Sequence, residues 1–311
     1  MNTENDISNT YSLLSEGRIL EAREKADNLL EKNKQSIEVW ILRCFVEIRL
    51  KNYIGAKELT EKAINIFPKS SKLLNILGIS NKYLDNFDEA IDAYKKSIEN
   101  NNQDPDPYKN LGVLHFENNN YQEALFYLSE YEKFIDNIDP EIFLIISKCY
   151  SGLKDYKKAI KVLKESIVRY ENILELRIEV ATIYQIIGKK IEAIDELKKI
   201  VEINKDFKQG YNSIGLLYAE MNETRNAIKY YDKALEIDSN YFESDSNKFL
   251  VKNIMEYFIE YKNVPTLEVL KIVSALPANP AIIAPTIITD EIAFVTDING
   301  VCKEGVTLQT T

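Results

Sequence analysis

The sequence is poor in glycine, proline, cysteine and histidine, and each shortage excludes a class of protein. Its 311 residues contain 10 glycines and 8 prolines, too few for the many tight turns of a long all-β chain. The three cysteines, Cys44, Cys149 and Cys302, stand far apart, so neither a disulfide framework nor a zinc site is indicated. The single histidine, His115, is the only residue around which a Ser-His-Asp or Cys-His site could be built. The sequence therefore predicts no catalytic residue, no metal ligand and no cofactor.

Positive charge and long apolar runs are also scarce. Lys and Arg total 39 against 49 Asp and Glu, a formal net charge of −10, and no run of basic residues offers a phosphate backbone a binding surface. The nearest candidate for a membrane-spanning helix, residues 272–289, is uncharged but is interrupted by three prolines. The N-terminus lacks the basic and apolar regions of a signal peptide. We therefore expect a cytoplasmic protein that binds no nucleic acid and does not insert into a membrane.

The sequence does contain a motif that recurs every 34 residues. The block 71–104 has Gly78, Ala90 and Tyr94, and the block 208–241 has the same three residue types at the same offsets. Within each block, two stretches of about a dozen residues show the apolar spacing of helices. Small residues recur where two helices must approach closely, since a larger side chain there would overpack the contact. The sequence thus predicts helix pairs that complete their core only by stacking on neighbouring pairs.

The stretches NILGISNKYLDNFDEAIDAYKKSIE and NSIGLLYAEMNETRNAIKYYDKALEID carry this motif, and they resemble the tetratricopeptide repeat (TPR). The resemblance covers residues 3–241 and implies an all-α, right-handed TPR α-solenoid of about seven helix-turn-helix repeats. The repeats are expected near residues 3–36, 37–70, 71–104, 105–138, 140–173, 174–207 and 208–241. A capping helix is expected over residues 242–262. Residues 263–311 are expected to form an apolar, Pro-containing, irregular tail, in which Asn299-Gly300 suits the turn of a β-hairpin.

Resemblance to TPR proteins also implies a function: a non-enzymatic scaffold or adaptor that binds a peptide or helix of another protein in its concave groove. The first helix of each repeat lines that groove, so inward positions can be projected from the repeat offsets. The projected groove residues are Ile41, Phe45, Asn75, Ile79, Lys82, Lys109, Val113, Phe116, Leu144, Lys148, Ile178, Asn212 and Leu216. Apolar anchors among amides and lysines suit such a ligand. The alternative is that some of these apolar residues pack between adjacent repeats.

Two further interpretations concern the partner. TPR co-chaperones that bind a C-terminal carboxylate carry a Lys/Asn pair, an Asn and a Lys/Arg pair on three successive first helices. Here Lys109 and Asn110 are followed by Ile145 and Lys148 and then by Glu175 and Glu179, so that pattern fails. The alternative function is a subunit or N-terminal part of a larger enzyme, secretion or motility assembly that docks through the C-terminal tail. The tail is also a candidate for self-association or for filling the solenoid's own groove.

Overall fold

The computed structural model describes residues 3–237, and all regular structure in this part of the chain is helical. Fourteen helices follow one another: α1 (Thr3–Ser15), α2 (Ile19–Lys32), α3 (Ile37–Arg49), α4 (Tyr53–Ile66), α5 (Ser71–Tyr83), α6 (Phe87–Asn100), α7 (Pro105–Glu117), α8 (Tyr121–Glu132), α9 (Pro140–Gly152), α10 (Tyr156–Arg169), α11 (Leu174–Ile186), α12 (Lys190–Ile203), α13 (Lys208–Glu220) and α14 (Thr224–Ile237). Each odd-numbered helix packs on the even-numbered helix that follows it, and we number these pairs repeats 1 to 7. The all-α, helix-pair fold predicted from the sequence is confirmed.

The chain divides into two compact units. Unit 1 ends at Asn204, and its described part holds α1 to α12, which are repeats 1 to 6. Unit 2 begins at Lys205, and its described part holds α13 packed on α14. The expected capping helix over 242–262 and the expected tail with its hairpin over 263–311 lie outside the described residues.

The helices of unit 1 are not equivalent in how they stack. Each odd-numbered helix packs against the next odd-numbered helix, from α1 on α3 to α9 on α11. Within the described part of unit 1, the even-numbered helices lack comparable contacts with one another, and each of them from α2 to α10 packs instead on the odd-numbered helix that follows it. Because the odd-numbered helices lie closer together, unit 1 curves with these helices on its inner side. We call their solvent-facing surface the inner face, and the exposed side of the even-numbered helices the outer face.

Polar side chains fix where many helices begin. Ser70 accepts a hydrogen bond from the backbone N–H of Leu73 at 3.3 Å, and Asp155 accepts one from Lys158 at 3.2 Å. Such bonds satisfy backbone donors that have no partner inside the helix. At these helices the local sequence therefore helps to specify where the helix starts.

The turn inside each repeat has the same backbone conformation. In all seven repeats, the second residue after the odd-numbered helix has a φ between 58° and 78°. Five of these residues are not glycine, although the left-handed region costs other residues about 1 kcal/mol; they are Lys51, Asp85, Asn119, Lys154 and Asn222. This repeated turn brings the end of every odd-numbered helix and the start of every even-numbered helix to one edge of unit 1, which we call the turn edge.

Small residues let the two helices of a repeat approach closely. A Cβ atom added at Gly78 would lie 2.4 Å from the ring of Tyr94, and one added at Gly112 would lie 2.7 Å from the side chain of Leu128. Ala181 holds the same position in repeat 6 and is buried. The close approach predicted from the recurring small residues is therefore confirmed at these positions.

Candidate functional site

The inner face of unit 1 carries the projected groove residues. Those in unit 1 lie on α3, α5, α7, α9 and α11, and most of them are half-buried, while Asn75 is buried and Lys148 is exposed. Asn212 and Leu216 are also half-buried, but they lie on α13 of unit 2. The candidate site described below is therefore confined to unit 1.

The apolar side chains of the inner face belong partly to the core. Phe45 packs against the buried clusters on both sides of α3, and Ile79 packs against the cluster around Tyr94. Val113 and Phe116 pack against the cluster that joins α7, α8 and α9. Packing on one side fixes each of these side chains, while the other side stays open to solvent. These side chains can therefore pack between repeats and line a groove at the same time.

Several polar side chains of the inner face are paired within the stack. The amide nitrogen of Asn110 donates to the amide oxygen of Asn75 at 2.9 Å, and Nζ of Lys82 lies 2.8 Å from Oε1 of Glu117. Both pairs join α5 to α7. These side chains therefore hold two neighbouring helices in register, in addition to any contact they make with a ligand.

The part of the inner face formed by α9 and α11 carries polar side chains beside Leu144 and Ile178. Lys148 and Thr182 are exposed, and the Thr182 hydroxyl donates to the carbonyl oxygen of Ile178 at 2.9 Å. Burial raises the pKa of the Glu179 carboxyl, and the positive charge of Lys148 partly opposes that rise. This region can orient a ligand through charge and hydrogen bonds.

Tyr11 belongs to the same face but was not among the projected residues. It lies on α1, it is 40% exposed, and its ring centroid is 6.4 Å from that of Phe45. Tyr11 is the ninth residue of the degenerate first block, and Phe45 is the ninth residue of the second. Applying the repeat offset to the first block would have found it.

The side chain of His115 packs inside the helix stack. It is buried, its ring stacks on that of Tyr127 with centroids 5.5 Å apart, and within the described residues neither ring nitrogen has a hydrogen-bond partner. Burial lowers the pKa of His115 below 6.5; the charge of Glu123 opposes this shift and that of Lys95 adds to it. The later repeats have tyrosine at this position. A neutral, structural histidine accounts for these observations.

The lowered pKa of His115 predicts a pH dependence of stability. A histidine that binds protons more weakly when folded contributes its full stability above its unfolded pKa near 6.5, and that stability is lost as the pH falls toward the folded pKa. Between about pH 7.5 and about pH 5, the melting temperature of the wild type should therefore fall more steeply than that of His115→Tyr. Parallel pH profiles of the two proteins would contradict this assignment.

The acidic and thiol side chains of the described residues do not form a metal site or a reactive thiol. Among residues 3–237, no group of three His, Cys, Asp or Glu side chains is placed to hold a metal ion. Cys44 and Cys149 are buried, and burial raises the pKa of each thiol to about 11. Both are therefore protonated packing residues at neutral pH. No helix within this range is long and apolar enough to cross a membrane.

Comparison with known sequences identifies the repeat. Tetratricopeptide repeat models match residues 71–104, 93–126, 140–171 and 209–241. A TPR repeat-containing protein of Methanocaldococcus jannaschii is 22% identical over an alignment of 246 residues that covers 76% of this chain and 43% of that protein. A DnaJ homolog subfamily C member 7 homolog of Dictyostelium discoideum is 22% identical over an alignment of 277 residues that covers 82% of this chain and 44% of that protein. The chain spans less than half the length of these two relatives.

Solved structures show the same fold. The C-terminal part of a TPR repeat-containing protein from Cytophaga hutchinsonii superposes with a TM-score of 0.63 at 17% identity, covering 76% of this chain and 97% of that one. A tetratricopeptide repeat protein from Parabacteroides merdae gives a TM-score of 0.52 at 16% identity, covering 88% and 98%. These likenesses show an α-helical repeat fold. The chain contains tetratricopeptide repeats, which form a fold that is typically non-catalytic.

Proposed function

We propose that this chain is a non-enzymatic scaffold whose unit 1 binds a peptide or helical segment of another protein on its inner face. One observation carries the proposal: five successive odd-numbered helices present half-buried apolar side chains on that face. These side chains are Ile41, Phe45, Ile79, Val113, Phe116, Leu144 and Ile178.

The arrangement of these side chains suits a docking surface. Because core packing already orders them, they lose little conformational freedom when a ligand binds. Covering their open sides would add roughly 25 cal/mol for each Å² of apolar surface removed from water. Lys148 and Glu179 supply charges of both signs beside these anchors, so a ligand that carries complementary charges would bind in one orientation.

The structure determines which residues can test the proposal. Val113 and Phe116 pack against the cluster of α7 to α9, so charges placed there would destabilise the fold as well as the site. Lys148 and Thr182 are exposed and hold the ninth position of α9 and α11. Changes at these two positions therefore report on binding with little effect on folding.

The probe is a peptide selected from a random displayed library for binding to the full chain. Its affinity for the full chain is measured by fluorescence anisotropy. The variant Lys148→Glu/Thr182→Glu should weaken binding at least about tenfold, equivalent to about 1.4 kcal/mol. The matched control is Phe126→Glu/Lys161→Glu, which alters the sixth residue of α8 and α10 on the outer face and changes the net charge equally. The control should bind like the wild type. Unchanged affinity in the inner-face variant, or equal losses in both, would refute the inner-face assignment.

A further inference from the structure

The turn edge of unit 1 carries an unusual share of exposed apolar surface. Twelve large apolar side chains are exposed in the part of the chain that the structure describes. Seven of them lie in the segment that runs from the last residue of an odd-numbered helix to the second residue of the even-numbered helix that follows. The seven are Leu20, Ile54, Tyr83, Phe87, Leu153, Ile186 and Ile191, exposed by 39% to 73%. Turns that only reverse the chain are expected to be polar, so this concentration indicates a contact surface.

Part of this apolar surface is rigid. The ring of Tyr83, at the end of α5, stacks on that of Tyr53, at the start of α4, with centroids 4.4 Å apart and planes 9° apart. Ile54 follows Tyr53 directly, and Phe87 begins the next even-numbered helix. A surface that is already ordered loses little entropy when it is covered.

Charge divides the turn edge into two halves. Repeats 3 and 4 supply the acidic half, formed by Asp85, Asp88, Glu89, Glu117 and Glu123. Repeats 5 and 6 supply the basic half, formed by Lys154, Lys157, Lys158, Lys189 and Lys190. Three opposite charges pair within these halves: Lys82 with Glu117, Asp155 with Lys158 and Glu192 with Lys189. The halves still keep opposite net charges, even though the sequence contains no basic run.

We propose that the turn edge of unit 1 binds the turn edge of a second copy of this chain, about a two-fold axis between repeats 4 and 5. Such an axis places repeat 4 against repeat 5 of the second copy, and repeat 3 against repeat 6. Glu117 and Glu123 then face Lys154 and Lys157. Every contact occurs twice, because a two-fold interface uses the same surface on both subunits.

Four of the seven exposed apolar side chains face one another under the same axis. Tyr83 and Phe87 of repeat 3 face Ile186 and Ile191 of repeat 6 in the second copy. A partner with charge of one sign would be attracted to one half of the edge and repelled by the other. A second copy is the occupant that complements both halves at once.

Sedimentation velocity of the full chain over a range of concentrations tests this interface. The wild type should form a dimer whose dissociation constant rises with salt between about 50 mM and about 500 mM NaCl. Two charge-reversal variants place like charges on repeat 4 of one copy and repeat 5 of the other, which face each other across the axis. They are Lys154→Glu/Lys157→Glu and Glu117→Lys/Glu123→Lys. Each should raise the dissociation constant about 100-fold or more. An equimolar mixture of the two variants should dimerise again, since the acidic repeat 5 of one then faces the basic repeat 4 of the other.

The control variant is Lys62→Glu/Lys96→Glu, which alters the tenth residue of α4 and α6, both exposed and away from the turn edge. It should dimerise like the wild type, and thermal melts verify that every variant is folded. A wild type that stays monomeric at all concentrations, a dimer that tolerates either reversal, or a mixture that stays monomeric would each overturn the proposal. Binding of the selected peptide to the inner face should be unaffected by Lys154→Glu/Lys157→Glu, whose positions lie away from that face, so the two proposals fail separately.

Discussion

Replacing Glu47 by alanine should lower the free energy of unfolding of unit 1 by about 3–5 kcal/mol, because it leaves a buried arginine without its buried carboxylate partner. Glu47 is 1% exposed, and its carboxylate accepts hydrogen bonds from Nη1 of Arg43 at 2.6 Å and from the side-chain amide of Asn52 at 2.5 Å. Nε of Arg23 lies 3.2 Å from the same carboxylate. In Glu47→Ala, the Arg43 guanidinium would keep only its contact with Asp27 in this network.

Chemical denaturation and hydrogen exchange would measure this loss. Amide protons of α2 and α3 should exchange faster in Glu47→Ala, because the network joins the first two repeats and stability in a repeat stack is largely a nearest-neighbour property. The control is Arg18→Ala, which removes exposed ion pairs with Glu16 and Glu21 and should change little. Equal denaturation midpoints for the wild type and Glu47→Ala would show that the network does not stabilise the fold.

Replacing Gly78 by alanine should cost about 2–3 kcal/mol, because the new methyl group would overlap the ring of Tyr94. The added Cβ would lie 2.4 Å from that ring, and Tyr94 is fully buried, so the ring has little room to move. Repeat 6 shows how the chain accommodates a larger residue here, since it has Ala181 and Leu197 at the equivalent positions, both buried.

A double-mutant cycle would measure the energetic coupling between residues 78 and 94. Tyr94→Leu alone should cost about 2–4 kcal/mol, because it leaves a cavity beside Gly78. Combining it with Gly78→Ala recreates the residue pair of repeat 6, so the double variant should be more stable than the sum of the two single losses predicts. Strictly additive losses would mean that the two side chains do not share one packing site.

The sequence was informative wherever a structural feature recurs with the repeat. The helices and the close approach at Gly78 were predictable because the same residue types return at the same offsets. The sequence also shows Glu47 as a charged residue at a position where repeats 5 to 7 have tyrosine. The repeat period did not reveal that its charge is buried, because that depends on Arg43 and Asp27 from two different helices.

Features that depend on contact between repeats were not predictable. The pairing of Asn75 with Asn110 joins side chains 35 residues apart, and the repeat period alone does not indicate which of them meet. The turn edge was missed for a different reason: Ile54 and Ile191 follow the apolar pattern of core positions, and only their exposure in the folded chain distinguishes them.

Photo-crosslinking from four exposed positions tests the central claim most directly, namely that the inner face of unit 1 is the docking surface. A photoreactive phenylalanine derivative would replace Lys148 or Thr182 on the inner face, and Phe126 or Lys161 on the outer face, in the full chain. With the selected peptide bound, we expect adducts from the two inner positions and none from the two outer ones. Adducts from Phe126 and Lys161, with none from Lys148 and Thr182, would contradict the account.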